Sequence, residues 1–114
     1  ATWREAGRIA VAGQPVFVMA QPDGRRIWVN FALPDSDKVQ VIDAETLQVV
    51  RTLTPGRAIL HMEFTPRGEA VWISARDDDR VIVYDTASFE PTAVLTVDKP
   101  SGIFFTSRAF RTGM

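Results

Sequence analysis

One block of this sequence occurs twice. Pro22-Asp23-Gly24-Arg25-Arg26-Ile27-Trp28-Val29 returns as Pro66-Arg67-Gly68-Glu69-Ala70-Val71-Trp72-Ile73, with Pro, Gly and Trp in register. Further on, Lys38-Val39-Gln40-Val41-Ile42-Asp43-Ala44-Glu45-Thr46-Leu47 is answered by Arg80-Val81-Ile82-Val83-Tyr84-Asp85-Thr86-Ala87-Ser88-Phe89. The second pair of blocks lies two residues closer together than the first. That deletion falls where Phe31 to Asp37 corresponds to Ala75 to Asp79, stretches rich in polar and turn residues, as an insertion-tolerant loop should be. A third register links Ile9, Leu53 and Leu95, each followed shortly by a proline, at Pro15, Pro55 and Pro100. A chain that repeats itself in this way builds one structural unit several times and buries the apolar face of each unit on its neighbour.

Within each repeat the apolar period is two. Val39 and Val41, then Val81 and Val83, alternate with their neighbours in short runs rich in β-branched and aromatic residues, which predicts strands. Pro-x-Gly turns separate the first strand from the second, and an Asp followed by small or Thr residues closes the third, so the fourth is expected to begin at Leu47 or Phe89. No window carries apolar residues at helical spacing, so little or no helix is expected. Four strands in about 43 residues is the arithmetic of a propeller blade. The fold class is therefore all-β, a β-propeller fragment made of four-stranded antiparallel blades.

The blade boundaries follow from the same registers. Residues 1–12 read as the outer strand of a preceding blade, because Trp3 to Ile9 matches Leu47 to Leu53 and Phe89 to Leu95. Residues 13–54 and 55–97 read as complete blades, and 98–114 as the inner strand of a closing blade with the C-terminus. Propellers close with about four to eight blades, and closure protects strand edges from unwanted pairing. The expectation is a C-terminal portion of a larger propeller, with a ring of several copies as the lesser alternative.

Composition narrows the chemistry. Thirteen Lys+Arg against fourteen Asp+Glu leave a formal charge of −1, which gives no electrostatic footprint for nucleic acid or an anionic membrane. The longest apolar stretch, around Val16 to Ala20, is far short of the roughly 20 residues that cross a bilayer. The absence of cysteine removes disulfides, thiolate metal sites, cysteine nucleophiles and covalent c-type haem attachment. With His61 as the one histidine, a site built from several imidazoles is excluded, while a single iron ligand or acid/base is not.

In a propeller the innermost strands line a central channel. The loops leading into them, with those joining second and third strands, crowd one face. Here those loops are Gly13-Gln14-Pro15, Pro55-Gly56-Arg57 and Asp98-Lys99-Pro100-Ser101, together with Asn30 to Asp37 and Ser74 to Asp79. Arg57, Arg76 and Lys99 are expected to converge on one rim and to offer paired donors to a carboxylate-bearing ligand, with Asn30 on the same face. His61, near the head of the inner strand Ile59 to Phe64, stands beside the channel. It reads either as an axial haem ligand or proton donor, or as a strand histidine bonded to a nearby carbonyl, and the residues alone favour the second. Glu63 shares its face if the strand is regular. Asp77-Asp78-Asp79 lacks the remaining ligands of a calcium loop and reads as a solvated acidic turn between Arg76 and Arg80. Trp28 and Trp72 recur at one blade position, which marks them as inter-blade packing.

The blade wording Pro22-Asp23-Gly24, Trp28-Val29-Asn30 and Val39-Gln40-Val41-Ile42-Asp43 resembles the YVTN-type β-propeller, a likeness shared by many binding proteins. More specific are His61 to Gly68 (HMEFTPRG), Trp72 to Asp77 (WISARD) and Pro100 to Ala109 (PSGIFFTSRA). With Gly13 to Met19 and Trp28 to Phe31, these resemble the C-terminal end of the NirF-type haem d1 biosynthesis proteins. The resemblance implies an eight-bladed propeller related to the haem d1 domain of nitrite reductase, acting on a late haem d1 precursor in the periplasm. It implies haem d1 or its dihydro precursor as cofactor, and the iron tetrapyrrole, nitrite reductase or other haem d1 assembly proteins as partners. On this view His61 contacts the macrocycle or its iron, and Arg57 and Arg76 anchor its carboxylates. A side-chain oxidation or dehydrogenation is the implied reaction class for the whole parent. Two alternatives stay open: a non-enzymatic propeller that presents its loops to another protein, and the haem d1 domain of a nitrite reductase itself.

Overall fold

The structure, a computed structural model, describes residues 4–105. Its eight strands form two separate four-stranded antiparallel sheets, each a meander in chain order. The first sheet contains β1 (Pro15–Ala20), β2 (Arg26–Phe31), β3 (Val39–Asp43) and β4 (Val49–Leu53). The second contains β5 (Ile59–Phe64), β6 (Ala70–Ala75), β7 (Arg80–Asp85) and β8 (Pro91–Thr96). A single 3-10 turn, Arg76–Asp78, is the one helical element among the described residues. These are two blades of a β-propeller.

The repeat is built from turns before it is built from packing. In the first hairpin of each blade a glycine N–H closes the turn, Gly24 onto the Gln21 carbonyl and Gly68 onto that of Thr65, both at 2.8 Å. Gly24 and Gly68 sit at φ +74° and +79°, a conformation that side chains with a Cβ resist. The third and fourth strands are joined by an aspartate that folds the chain around its own carboxylate. Asp43 accepts the N–H groups of Glu45 and Thr46, and Asp85 accepts those of Ala87 and Ser88, at 2.8–2.9 Å. The same turn corrects the expected strand starts. Leu47 and Phe89 lie at φ 60° and 62°, with their N–H groups bonded to the Asp43 and Asp85 carbonyls, so the outer strands begin two residues later.

The two blades stack face to face through one apolar core. Trp28, Val39 and Val41 of the first meet Ile59, Met62, Phe64, Val71 and Ile73 of the second, all of them buried. Trp28 is fully enclosed, edge-on to Phe64 at 5.7 Å between ring centroids and tilted over Phe89 at 5.9 Å. Full burial of so large a side chain contributes on the order of 3 kcal/mol. Polar ties fix the stacking register, since the Ile59 N–H donates to the Ser36 carbonyl at 2.8 Å and the Arg26 guanidinium to the Thr86 carbonyl at 2.9 Å. The opposite face of the first blade, Val29, Phe31 and Ile42, is covered by Ile9 and Val11. Trp72, on the second blade, is only half-buried and meets Phe105 edge-on at 5.5 Å.

Two expected strands are not seen among the described residues. Residues 4–12 and 101–105 pack on the sheets without joining a ladder, because a strand exists only beside a hydrogen-bonded partner and neither segment has one among the described residues. The rest of those expected strands, Trp3 and Thr106, lies outside the described residues, as does the expected C-terminus after it.

Candidate functional site

Both inner strands begin with a bulge. In β1 the pairing with β2 slips between Pro15 and Phe17, and in β5 the pairing with β6 slips between Ile59 and His61. The extra residue in each is an exposed aliphatic side chain, Val16 or Leu60. Bulges bend a strand and re-aim side chains, and they gather beside functional sites. Here they do both. Val16 and Leu60 line a groove of about 570 Å³ between the blades on the loop face, together with Phe31, Leu33, Pro34 and Ile59. Leu33 is 84% exposed, and Arg57, Asp37 and Asp77 supply the polar rim. An aliphatic side chain so exposed within a polar loop is the signal in the sequence that marks this groove, more direct than its basic residues.

The expected basic residues meet the acidic turn largely through backbone N–H groups, and of the three Arg57 is the one that lines the groove. The Arg57 backbone N–H donates to Asp78 Oδ2 at 2.7 Å, its Nε to Asp78 Oδ1 at 2.9 Å and its Nη2 to the Asp77 carbonyl at 3.3 Å. The Arg76 N–H donates to the Ala58 carbonyl and the Lys99 N–H to Asp79 Oδ1, both at 3.0 Å, while the Arg76 guanidinium stands 3.8 Å from Asp77. Arg57, Arg76 and Lys99 thus border one turn. The backbone N–H of Arg57, and then its side chain, holds the Asp78 carboxyl below the usual aspartate range, and the hydrogen bond to Asp78 raises the Arg57 guanidinium in turn. The Arg57 side chain is nevertheless 72% exposed, so it reaches the rim while its charge is shared with Asp78. The carboxylates of Asp78 and Asp79 are committed to backbone N–H groups, which suits a structural turn.

Asn30 lies elsewhere than expected. It is fully buried, where no ligand over the loops reaches it. Its Oδ1 accepts the Phe17 N–H at 3.0 Å, and its Nδ2 donates to the Ile59 carbonyl in the next blade at 2.9 Å. The bulge in β1 leaves the Phe17 N–H outside the regular ladder, and Asn30 satisfies it. Its role is to tie the blades together. The matching position in the second blade is Ser74, whose Oγ accepts the His61 N–H at 3.0 Å.

His61 occupies in the second blade the place that Phe17 occupies in the first. It is 7% exposed, edge-on to Phe17 at 5.2 Å between centroids and tilted against Phe104, also at 5.2 Å. Its Nδ1 accepts the Ile103 N–H at 2.9 Å. The expected carbonyl partner at that nitrogen is therefore replaced by a donor. Glu63 is buried two residues along the strand and lines a second cleft, of about 430 Å³, with Phe17, Met19 and Phe64.

Residues 1–109 match the family model of the cytochrome D1 heme domain. The chain belongs to that family. It is 55% identical over 112 residues to Protein NirF of Pseudomonas aeruginosa, covering 98% of this chain and 29% of that protein. It is 32% identical over 104 residues to the dihydro-heme d1 dehydrogenase of the same organism, covering 88% of this chain and 21% of that one. Among solved structures, the dihydro-heme d1 dehydrogenase NirN in complex with DHE superposes with a TM-score of 0.75 at 33% identity, over 82% of this chain and 21% of that one. The chain thus spans less than a third of the length of these relatives, which bear on haem d1 biosynthesis. Among the described residues no helix is long and apolar enough to cross a membrane.

A tetrapyrrole of this kind is a flat apolar ring with acidic substituents. The aliphatic walls of the groove suit the ring edge, and Arg57 offers its acids a cation on a rim that also carries the carboxylates of Asp37 and Asp77. The iron fits less well, because the nitrogen of His61 that faces Ile103 already has its lone pair engaged.

Proposed function

We propose that the protein binds an iron tetrapyrrole, haem d1 or its dihydro precursor, across the loop face of the propeller and assists a late modification of its side chains in the periplasm. The observation that carries this reading is the groove between the blades, in which aliphatic residues raised by two bulges meet the Arg57 rim in a chain of the D1 haem family. Val16, Leu33 and Leu60 cover apolar ring surface, where each buried methylene contributes about 0.8 kcal/mol. Arg57 and Arg76 orient the ring by charge-assisted hydrogen bonds to its carboxylates, Lys99 adds positive charge beside them, and His61 contacts it from the hub. The electron chemistry belongs to the macrocycle when bound, and the chain supplies position and exclusion of water.

The test is a titration of the full-length protein with haem d1 and with its dihydro precursor, followed at the Soret band. A saturable shift is expected, weakened roughly tenfold by Arg57→Ala. A spectrum that never responds overturns the reading and favours a propeller that presents its loops to another protein. Fractionation of cells producing the full-length protein tests the compartment.

A further inference from the structure

We infer that Asp78 is a positioning residue for the loop-face groove: it holds the Arg57 guanidinium so that one amino group is left for a ligand's carboxylate, and removing this acid weakens the binding of an acidic ligand. The inference rests on the tetrapyrrole reading above for the identity of that ligand, and on geometry for the hold itself. Arg57 lines the groove and Asp78 is not among its walls. The Oδ2 of Asp78 accepts the Arg57 backbone N–H at 2.7 Å, and its Oδ1 accepts the Nε–H at 2.9 Å and stands 2.8 Å from Nη2. The Asp77 carbonyl accepts from Nη2 at 3.3 Å. With Nε and Nη2 committed, Nη1 is the part of the fork without a hydrogen-bond partner among the described residues. A planar guanidinium gripped along one edge has its open edge fixed as well. An exposed arginine otherwise loses rotamer freedom when it meets a ligand, a cost that a prior hold removes.

The first blade has the same acid without the hold. Both blades set a carboxylate against the glycine that leads into the inner strand. A Cβ on Gly13 would stand 2.6 Å from Asp35 Oδ2, and one on Gly56 would stand 2.8 Å from Asp78 Oδ2. The residue after the glycine is Gln14 in the first blade and Arg57 in the second. In the first blade Lys38, just before β3, donates to Asp35 at 3.2 Å. Its counterpart Arg80 turns its Nη2 instead to the Pro55 carbonyl, at 2.7 Å. The side-chain hydrogen bonds of Asp78 therefore go to Arg57, across the loop. An acid that backs a turn in one blade has become, in the other, the grip on the groove's cation.

Two readouts on the full-length protein test this, with Asp78→Asn as the variant. The single oxygen of an asparagine can keep the Arg57 backbone N–H, and its NH2 then faces the guanidinium, so the turn is retained and the grip is lost. In the Soret titration Asp78→Asn is expected to weaken tetrapyrrole binding roughly tenfold, as Arg57→Ala does, and the double variant to bind no more weakly than Arg57→Ala alone. Asp35→Asn, at the matching acid of the first blade, is expected to stay within about threefold of wild type. Charge alone predicts the opposite sign, because losing an acid favours an anionic ligand. Unchanged or tighter binding by Asp78→Asn overturns the inference, and so does a further loss in the double variant, which marks a merely structural role. The second readout needs no ligand. In protein labelled with 15N-arginine, the Arg57 Nε–H signal, assigned by its loss in Arg57→Lys, is expected to exchange with water at least about threefold more slowly in wild type than in Asp78→Asn. Equal exchange overturns the hold whatever the titration shows. A wild-type Soret band that never responds overturns the tetrapyrrole reading instead, and the exchange rates then decide the hold by themselves.

Discussion

The two blades are one scaffold used twice, and they differ where ligand chemistry would sit. Both close their first turn on a glycine at positive φ, wrap their third turn around an aspartate, and bulge at the start of the inner strand. At the residue after the bulge, however, the first blade has Phe17 and the second His61. The buried group that staples the bulge is Asn30 in one and Ser74 in the other. The loop after the second strand carries exposed Leu33 in the first blade and the acidic turn that holds Arg57 in the second. The equivalent positions secure the fold, and the inequivalent ones give the loop face an apolar side and a charged side.

The two tryptophans give the largest contrast. Trp28→Ala, in the enclosed core, is expected to cost about 3–5 kcal/mol, and Trp72→Ala, half-buried, markedly less. Denaturant unfolding of the full-length variants checks this, and equal losses would break the distinction between a packed inter-blade face and a partly open one. Next come the polar staples. Asn30→Ala leaves the Phe17 N–H and the Ile59 carbonyl without their side-chain partner, an expected loss of about 1–3 kcal/mol, measured in the same way. Ser74→Ala loses only a tie within its own blade, so it should cost less.

Gly56→Ala sharpens the comparison at the loop face. A Cβ there would stand 2.8 Å from both the Ala75 Cβ and Asp78 Oδ2, so the turn that holds Arg57 must shift. The expected cost is about 1–3 kcal/mol, with weakened tetrapyrrole binding in the Soret titration. Gly24→Ala meets nothing within 4 Å and loses only the freedom of its positive φ, about 1 kcal/mol.

The smallest expected effect is shared by both blades. Asp43 is held below its ordinary value of 3.8 chiefly by the Thr46 N–H, and Asp85 chiefly by the Ser88 N–H. A depressed folded-state value means stability that is present above the unfolded value and lost as pH falls through the folded one. Both turns should therefore weaken together below about pH 4. Asp43→Asn and Asp85→Asn are expected to flatten the acid limb of a stability–pH curve by similar amounts, and an effect confined to one blade would contradict the equivalence of the turns.

The repeated parts were legible in the sequence because they are local. A Pro-x-Gly turn and an Asp that caps its own turn act over a few residues, and the alternation of Val39 and Val41 already names a strand. The site was less legible because its decisive contacts join distant segments. Asn30 reads as the first residue of a loop, yet β2 runs on to Phe31 and keeps it in the buried ladder, where it bonds the Phe17 N–H. Arg57 reads as an available cation, yet Asp78 shares its charge. The Nδ1 of His61 is met by the backbone N–H of Ile103, a partner that no side-chain pattern records. The segments at 4–12 and 101–105 carry the strand pattern but lack the neighbouring ladder that would turn pattern into strand.

The central claim, that the gap between the blades on the loop face holds a flat ring with acidic edges, is tested most directly by a crystal structure of the full-length protein with dihydro-haem d1. The account predicts the macrocycle against Val16, Leu33 and Leu60 and a carboxylate within hydrogen-bonding distance of Arg57. A ring bound away from this groove would contradict it.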